Sequence, residues 1–103
     1  MVLEQAVLEV RPGAEQEFEA AFAKAQAIIA GMPGYISHSL SACIEYAGRY
    51  LLLVEWESLE DHTQGFRQSP QYDEWRRLLH HLYEPFPEVR HYGAVWAGAS
   101  RDG

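Results

Sequence analysis

A chain of 103 residues with 48% hydrophobic and 13% aromatic side chains is long enough for one packed core and too short for two. Its formal net charge of −7 leaves no basic footprint, which argues against nucleic acid and anionic membrane as partners. No apolar run reaches the roughly 18 residues of a membrane span, MVLEQAVLEV lacks the basic start and apolar core of a signal peptide, and the one cysteine, Cys43, has no internal partner. The expectation is a cytoplasmic protein.

Residues 2–10 read as a first strand, with Ala6, Leu8 and Val10 on one face and Gln5, Val7 and Glu9 on the other. Pro12 and Gly13 stop it, and Pro12 is expected at the first position of a helix. Phe18, Phe22, Ala25 and Ile29 recur at helical spacing and make one apolar stripe. That helix should end near Gly31, before the turn Met32-Pro33-Gly34. Residues 35–45 alternate as a second strand: Ile36, His38, Leu40, Ala42 and Ile44 share a face opposite Tyr35, Ser37, Ser39, Ser41 and Cys43. The short link Tyr46-Ala47-Gly48 predicts a hairpin into a third strand over 49–57. Its run Leu51-Leu52-Leu53-Val54 predicts cover on both faces.

Ser58 and Asp61 have the spacing of a capping box and predict a brief helical turn. Ser69 and Pro70 supply the cap and first position of a longer helix, whose inner face is expected to carry Tyr72, Trp75, Leu79 and Leu82 before Pro85 and Pro87 end it. Residues 88–96 read as the last strand, with Val89, His91 and Val95 opposite Arg90, Tyr92 and Trp96.

The order strand, helix, strand, strand, helix pair, strand predicts an α+β ferredoxin-like sandwich, β-α-β-β-α-β, with a four-stranded antiparallel sheet. Helices cover one sheet face only. The hydrophobic residues of the other predict a homodimer, sheet against sheet around an apolar cavity. Residues 1–97 are taken as one domain and 98–103 as a flexible C-terminal tail.

The segment from Tyr50 to Phe66, with Val54-Glu55-Trp56-Glu57-Ser58, then Asp61-His62, Phe66, Ser69 and Trp75, resembles the antibiotic biosynthesis monooxygenase domain family. Pro33 to His38 is similar to that family's second strand, and the likeness runs from Leu3 to Trp96. The resemblance implies a dimeric α/β barrel of two ferredoxin-like subunits. It also implies cofactor-independent oxygenation of aromatic, polyketide-like phenols to quinones. Some relatives degrade haem, using an Asn on the first strand, a Trp in the helical link and a His on the last helix. Counted from Trp56, the Trp position falls on Phe66 and the His position on Arg76. The chain contains no asparagine, so haem degradation is disfavoured.

Three residues are candidates for catalysis. His62 follows a strand at the start of a helical turn, where an imidazole could take a phenolic proton; the plain alternative is a polar residue on a solvated turn. His38 alternates with Ile36 and Leu40, so it faces a ligand or is a satisfied buried histidine. Glu55 shares a face with Leu51 and Leu53 and should pair, either with a histidine or across an interface. Trp56, Phe66 and Tyr72 are expected to wall a substrate pocket, with core packing as the alternative, and Arg67 to hold an anion or a surface ion pair. No histidine or cysteine has metal-site spacing, and no glycine-rich phosphate loop occurs, so neither metal nor cofactor is expected. The expected partner is a small aromatic or apolar molecule. A dimeric barrel that binds such a molecule without turning it over is the alternative, and a purely structural module whose sheet face meets only its twin is the third.

Overall fold

The computed structural model of the chain describes residues 1–99. It orders four strands and two helices as β1 (Val2–Glu9), α1 (Glu15–Ala30), β2 (Tyr35–Ala42), β3 (Arg49–Trp56), α2 (Pro70–Leu79) and β4 (Val89–Gly93). All neighbouring strands pair antiparallel in the order β2-β3-β1-β4. β3 is thus inserted beside β1 by the crossover through α1, and α2 carries the chain across β1 to β4. This is the expected ferredoxin-like arrangement.

β3 alternates strictly. Tyr50, Leu52, Val54 and Trp56 are buried beneath the helices, while Arg49, Leu51, Leu53 and Glu55 stay partly accessible on the open face. The helix side of the sheet meets Phe18, Phe22, Ala25 and Ile29 of α1, all buried as their spacing predicts, and Trp75 and Leu79 of α2.

Several boundaries differ from expectation: β1 ends at Glu9, with Val10 in an isolated bridge to Tyr83, and α2 ends at Leu79, with Leu82 in a short 3₁₀ turn. Helix α1 begins at Glu15, not Pro12: Arg11 to Ala14 form a turn, closed by the Ala14 amide donating to the Arg11 carbonyl at 2.9 Å. β2 ends at Ala42, because Cys43 and the residues after it enter the loop to β3. β3 ends at Trp56, one residue early. β4 spans only five residues. Val95 and Trp96 lie beyond it at 96% and 90% exposure, so the predicted alternation does not continue there. Of the expected tail, Gly98 and Ala99 form no element and residues 100–103 lie outside the described residues.

The link between β3 and α2 shapes the site. Asp61 Oδ2 accepts from the Ser58 backbone N–H (3.2 Å) and hydroxyl (3.0 Å), and Ser58 Oγ accepts from the Asp61 N–H (3.2 Å), a reciprocal capping box. The following turn, Asp61–Phe66, is wound as a π-helix. Such wide turns are rare and often mark functional sites. This one directs both His62 and Phe66 inward. Ser69 then caps α2, its hydroxyl accepting from the Tyr72 N–H at 3.2 Å with Pro70 at the first position.

Candidate active site

The π-helical turn, α2 and the helix-facing side of β1 and β3 enclose a cavity lined by Glu4, His62, Phe66, Arg67, Tyr72, Trp75, His80, Tyr83 and Phe86. It lies inside one chain, between helices and sheet, whereas the sequence places a cavity between two sheets. Its volume of about 30 Å³ holds one or two waters; a benzene-sized ring needs a space on the order of 150 Å³. A ring therefore enters only as side chains move outward. Phe86, on the rim and 58% exposed, is free to do so.

Glu4 is the polar centre. It follows the same alternation that buries Ala6, Leu8 and Val10, and only 5% of it is exposed. Its Oε1 accepts the indole N–H of Trp56 at 3.0 Å and faces Nε2 of His62 at 3.3 Å. His62 is 2% exposed. Its ring stacks on Trp56 (centroids 5.5 Å, planes 23° apart) and near-parallel to Phe66 (6.4 Å, 29°). His62 Nδ1 meets Nε2 of His91 at 2.7 Å. His91 is half-buried on β4, directly across from Glu4 in the strand pairing.

These contacts form a chain, Glu4–His62–His91, with two self-consistent proton arrangements. In one, Glu4 is ionised with the His62 Nε2–H turned toward it at 3.3 Å, and His91 donates from Nε2 to His62. In the other, Glu4 carries a proton, His62 donates from Nδ1 to His91, and His91 holds its proton on Nδ1. The second holds one proton more than the first, and it converts to the first by one transfer at each contact and loss of the proton on the far nitrogen of His91.

Burial is the main influence on this cluster. It pushes Glu4 above the usual carboxylate range, outweighing the Trp56 hydrogen bond and the Arg67 charge. It lowers His62 to about 3, with Arg67 and His91 adding to the effect. His80 falls to about 4, again through burial first and then Arg76 and Arg67. His91 is lowered by burial and Arg67, and burial raises the Tyr83 phenol.

Of the residues singled out in the sequence, the fold brings His62, Trp56, Phe66, Tyr72 and Arg67 together. Trp56, expected to wall the pocket, is instead fully buried in the core and holds Glu4 from behind, while the other four line the cavity. His38 and Glu55 lie elsewhere. His38 sits between β2 and α1, where its Nε2 bonds Gln26 Oε1 (2.9 Å) and its Nδ1 takes the Tyr35 hydroxyl, so both nitrogens are satisfied locally. Glu55 accepts from the Ser37 hydroxyl at 3.1 Å on the open sheet face and touches no histidine. Glu4 and Tyr83 were not among the candidates. Glu4 carried a signal, since it keeps the phase of Ala6, Leu8 and Val10; Tyr83, between a 3₁₀ turn and a loop, carried none. Among the described residues, no group of three or more His, Cys, Asp or Glu is arranged to hold a metal ion.

Fold and cavity together define a small ferredoxin-like domain with a titratable site under its second helix. The sequence matches the antibiotic biosynthesis monooxygenase family over residues 1–78, and the chain belongs to that family. It is 61% identical over 95 residues to YczJ, an uncharacterised protein of Bacillus subtilis (strain 168), covering 92% of this chain and 100% of that one. A crystal structure from Bordetella bronchiseptica assigned to the same family superposes with a TM-score of 0.88 at 36% identity, over 92% of this chain and 97% of that one. SnoaB, a cofactor-independent oxygenase from Streptomyces nogalater, shares the fold with a TM-score of 0.82 at 23% identity, over 93% and 94% of the two chains.

Proposed function

We propose that the protein is a cofactor-independent monooxygenase that oxidises a hydroxylated aromatic in the cavity under α2, with Glu4 and His62 acting together as the base. The observation that carries this reading is the buried Glu4–His62 pair on the cavity wall, continued outward by the half-buried His91. Family membership and the fold shared with a cofactor-independent oxygenase support the reaction class.

In such chemistry the substrate is its own reductant. Removing a phenolic or enolic proton leaves an electron-rich anion that passes one electron to O₂. The radical pair then forms a C–O bond, and the hydroperoxide loses water. For an anthrone-like substrate the balance closes: the ring carbon gives up two hydrogens, one oxygen atom becomes the new carbonyl, and the other leaves as water. The protein need supply only a base, orientation and a dry enclosure. His62 alone, lowered to about 3, is a poor acceptor near neutrality. Glu4, pushed upward by burial, is the better one. With Glu4 protonated in the second arrangement, conversion to the first hands its proton to His62 Nε2, hands the His62 Nδ1 proton to His91 Nε2 and releases the His91 Nδ1 proton to solvent, which restores the carboxylate.

The open sheet face supports a dimer. Val7 (41% exposed) and Tyr92 (46% exposed) stand there with the partly covered Leu3, Leu51 and Leu53. A second copy packed on that face would cover them. The test of the reaction is O₂ uptake by chelator-treated protein with a panel of dihydroxynaphthalenes and anthrones. Uptake above the rate without protein is expected for at least one of them. Ring binding without any uptake would leave a non-catalytic binder in its place.

A further inference from the structure

Six arginines fall among the described residues, and five pair with a carboxylate: Arg11 with Glu84, Arg49 with Glu9, Arg76 with Asp73, Arg77 with Glu74 and Arg90 with Glu88. Arg67 is the exception. It has no carboxylate within 4.0 Å among those residues, in a chain whose 15 acids outnumber its 8 bases. Arg67 is also the one of the six that lines the cavity, where it is half-buried with its guanidinium 5.7 Å from the centre of the Tyr72 ring.

A half-buried guanidinium without a counter-ion is costly to keep. The Tyr72 face compensates only in part. Glu4 does not complete the pair, because its Oε1 is engaged by Trp56 and His62. The Arg67 charge is nonetheless felt across the cavity: it acts on Glu4, His62, His80, Tyr83 and His91 alike. The rest of the wall is apolar or aromatic, with His80 and Tyr83 as its other polar groups.

We infer that Arg67 is an oxyanion anchor, and that the substrate is a planar aromatic bearing an ionised oxygen function, bound with that group on the Arg67 fork. This rests on the reading of the cavity as the substrate site. An ionised carboxylate and an ionised phenol or enol share the relevant chemistry, a delocalised oxyanion coplanar with a ring. A planar fork of N–H donors suits that shape better than an ammonium does. Tyr72 then stacks beside the ring, and the hydroxyl that loses its proton lies toward Glu4.

The test is calorimetric titration of the intact protein with 2-naphthoate, 2-naphthamide and a nitronaphthol ionised at the assay pH. The wild type is expected to bind at least one anion about tenfold or more tighter than the neutral, equally shaped amide. Arg67→Gln should bring anion and amide within about twofold. Arg67→Lys, keeping charge but not the fork, should retain an intermediate preference. Tighter naphthoate would assign the oxyanion to a ring carboxylate, and tighter nitronaphtholate to the phenol itself. Equal binding of anions and amide by the wild type, binding of none of the three, or a preference that survives in Arg67→Gln would overturn the proposal. The wild-type comparison decides even if Arg67→Gln fails to fold. No turnover is measured, so an anion preference without O₂ uptake would remove the oxygenase reading and leave the anchor, and the converse would do the reverse.

Discussion

His62 Nδ1 stands 2.7 Å from His91 Nε2, a separation that admits one hydrogen between two nitrogens and not two. With His62 buried against Trp56 and Phe66, the neutral ring is the form the fold selects.

Acid should therefore unfold the protein through its histidines. His62 titrates near 6.5 in the unfolded chain and at about 3 in the folded one. His80 is lowered to about 4, and His91 is lowered as well. Between those values the unfolded chain binds more protons, so stability falls as pH drops below 6.5. His62 alone contributes a slope of about 1.4 kcal/mol per pH unit, flattening below its folded value. The more exposed His80 and His91 add less, because solvent screens them. Glu4 acts in the opposite sense: raised in the folded state, it removes stability as pH climbs above 4.5. Urea midpoints measured from pH 7.5 to 3.5 should fall overall, and His62→Gln should flatten the curve.

Trp56→Phe keeps an aromatic ring beside His62 but deletes the indole N–H that Glu4 accepts at 3.0 Å. The buried carboxylate is then under-satisfied, at a cost of about 1–3 kcal/mol. Combining it with Glu4→Leu, which removes the group left wanting, should cost less than the sum of the two single changes. Strict additivity in urea denaturation would show that the pair is not coupled.

Gly34→Ala should be costly where Gly13→Ala is mild. Both glycines have positive φ, +84° and +85°. An added Cβ at Gly13 meets nothing within 4 Å, whereas at Gly34 it would lie 2.2 Å from the Asp61 carboxyl. About 1 kcal/mol is expected at Gly13 from backbone conformation alone, and about 2–4 kcal/mol at Gly34, where the Ser58–Asp61 box is also broken. Thermal denaturation of the two variants side by side distinguishes the cases. Loss of activity should accompany only Gly34→Ala, since the box sets the turn that carries His62.

Val7 and Leu51 face each other across β1 and β3 on the open side of the sheet. Val7→Glu with Leu51→Glu places two charges where a second copy is proposed to pack. Light scattering after size exclusion should show a dimer for the wild type and a folded monomer for the variant. A wild-type monomer at high concentration would remove the dimer.

The fold was legible because its signals are local and redundant. The stripe Phe18, Phe22, Ala25, Ile29, the hairpin link before Arg49 and the Ser69-Pro70 cap each specify one element independently. The ends were less legible. Pro12 suits a helix start, but the turn closing on Arg11 delays the helix to Glu15. Val95 and Trp96 alternate like a strand yet have no strand to pair with. The site was half legible for a related reason. His62, Phe66, Arg67 and Tyr72 are close in sequence, so one turn delivers them together. Glu4 and His91 reach His62 only through sheet pairing, which spacing along the chain does not encode. His38 and Glu55 looked equivalent to His62 by residue type. The layer each side chain faces separates them.

The proposal that Glu4 and His62 form the base is tested most directly by comparing kcat/KM across Glu4→Gln, His62→Gln and His38→Ala on a phenol or anthrone that the wild type oxidises. The first two should each lose about 10²–10⁴-fold, with CD spectra unchanged, while His38→Ala stays within about threefold of wild type. Near-normal turnover by Glu4→Gln and His62→Gln, or a collapse confined to His38→Ala, would contradict it.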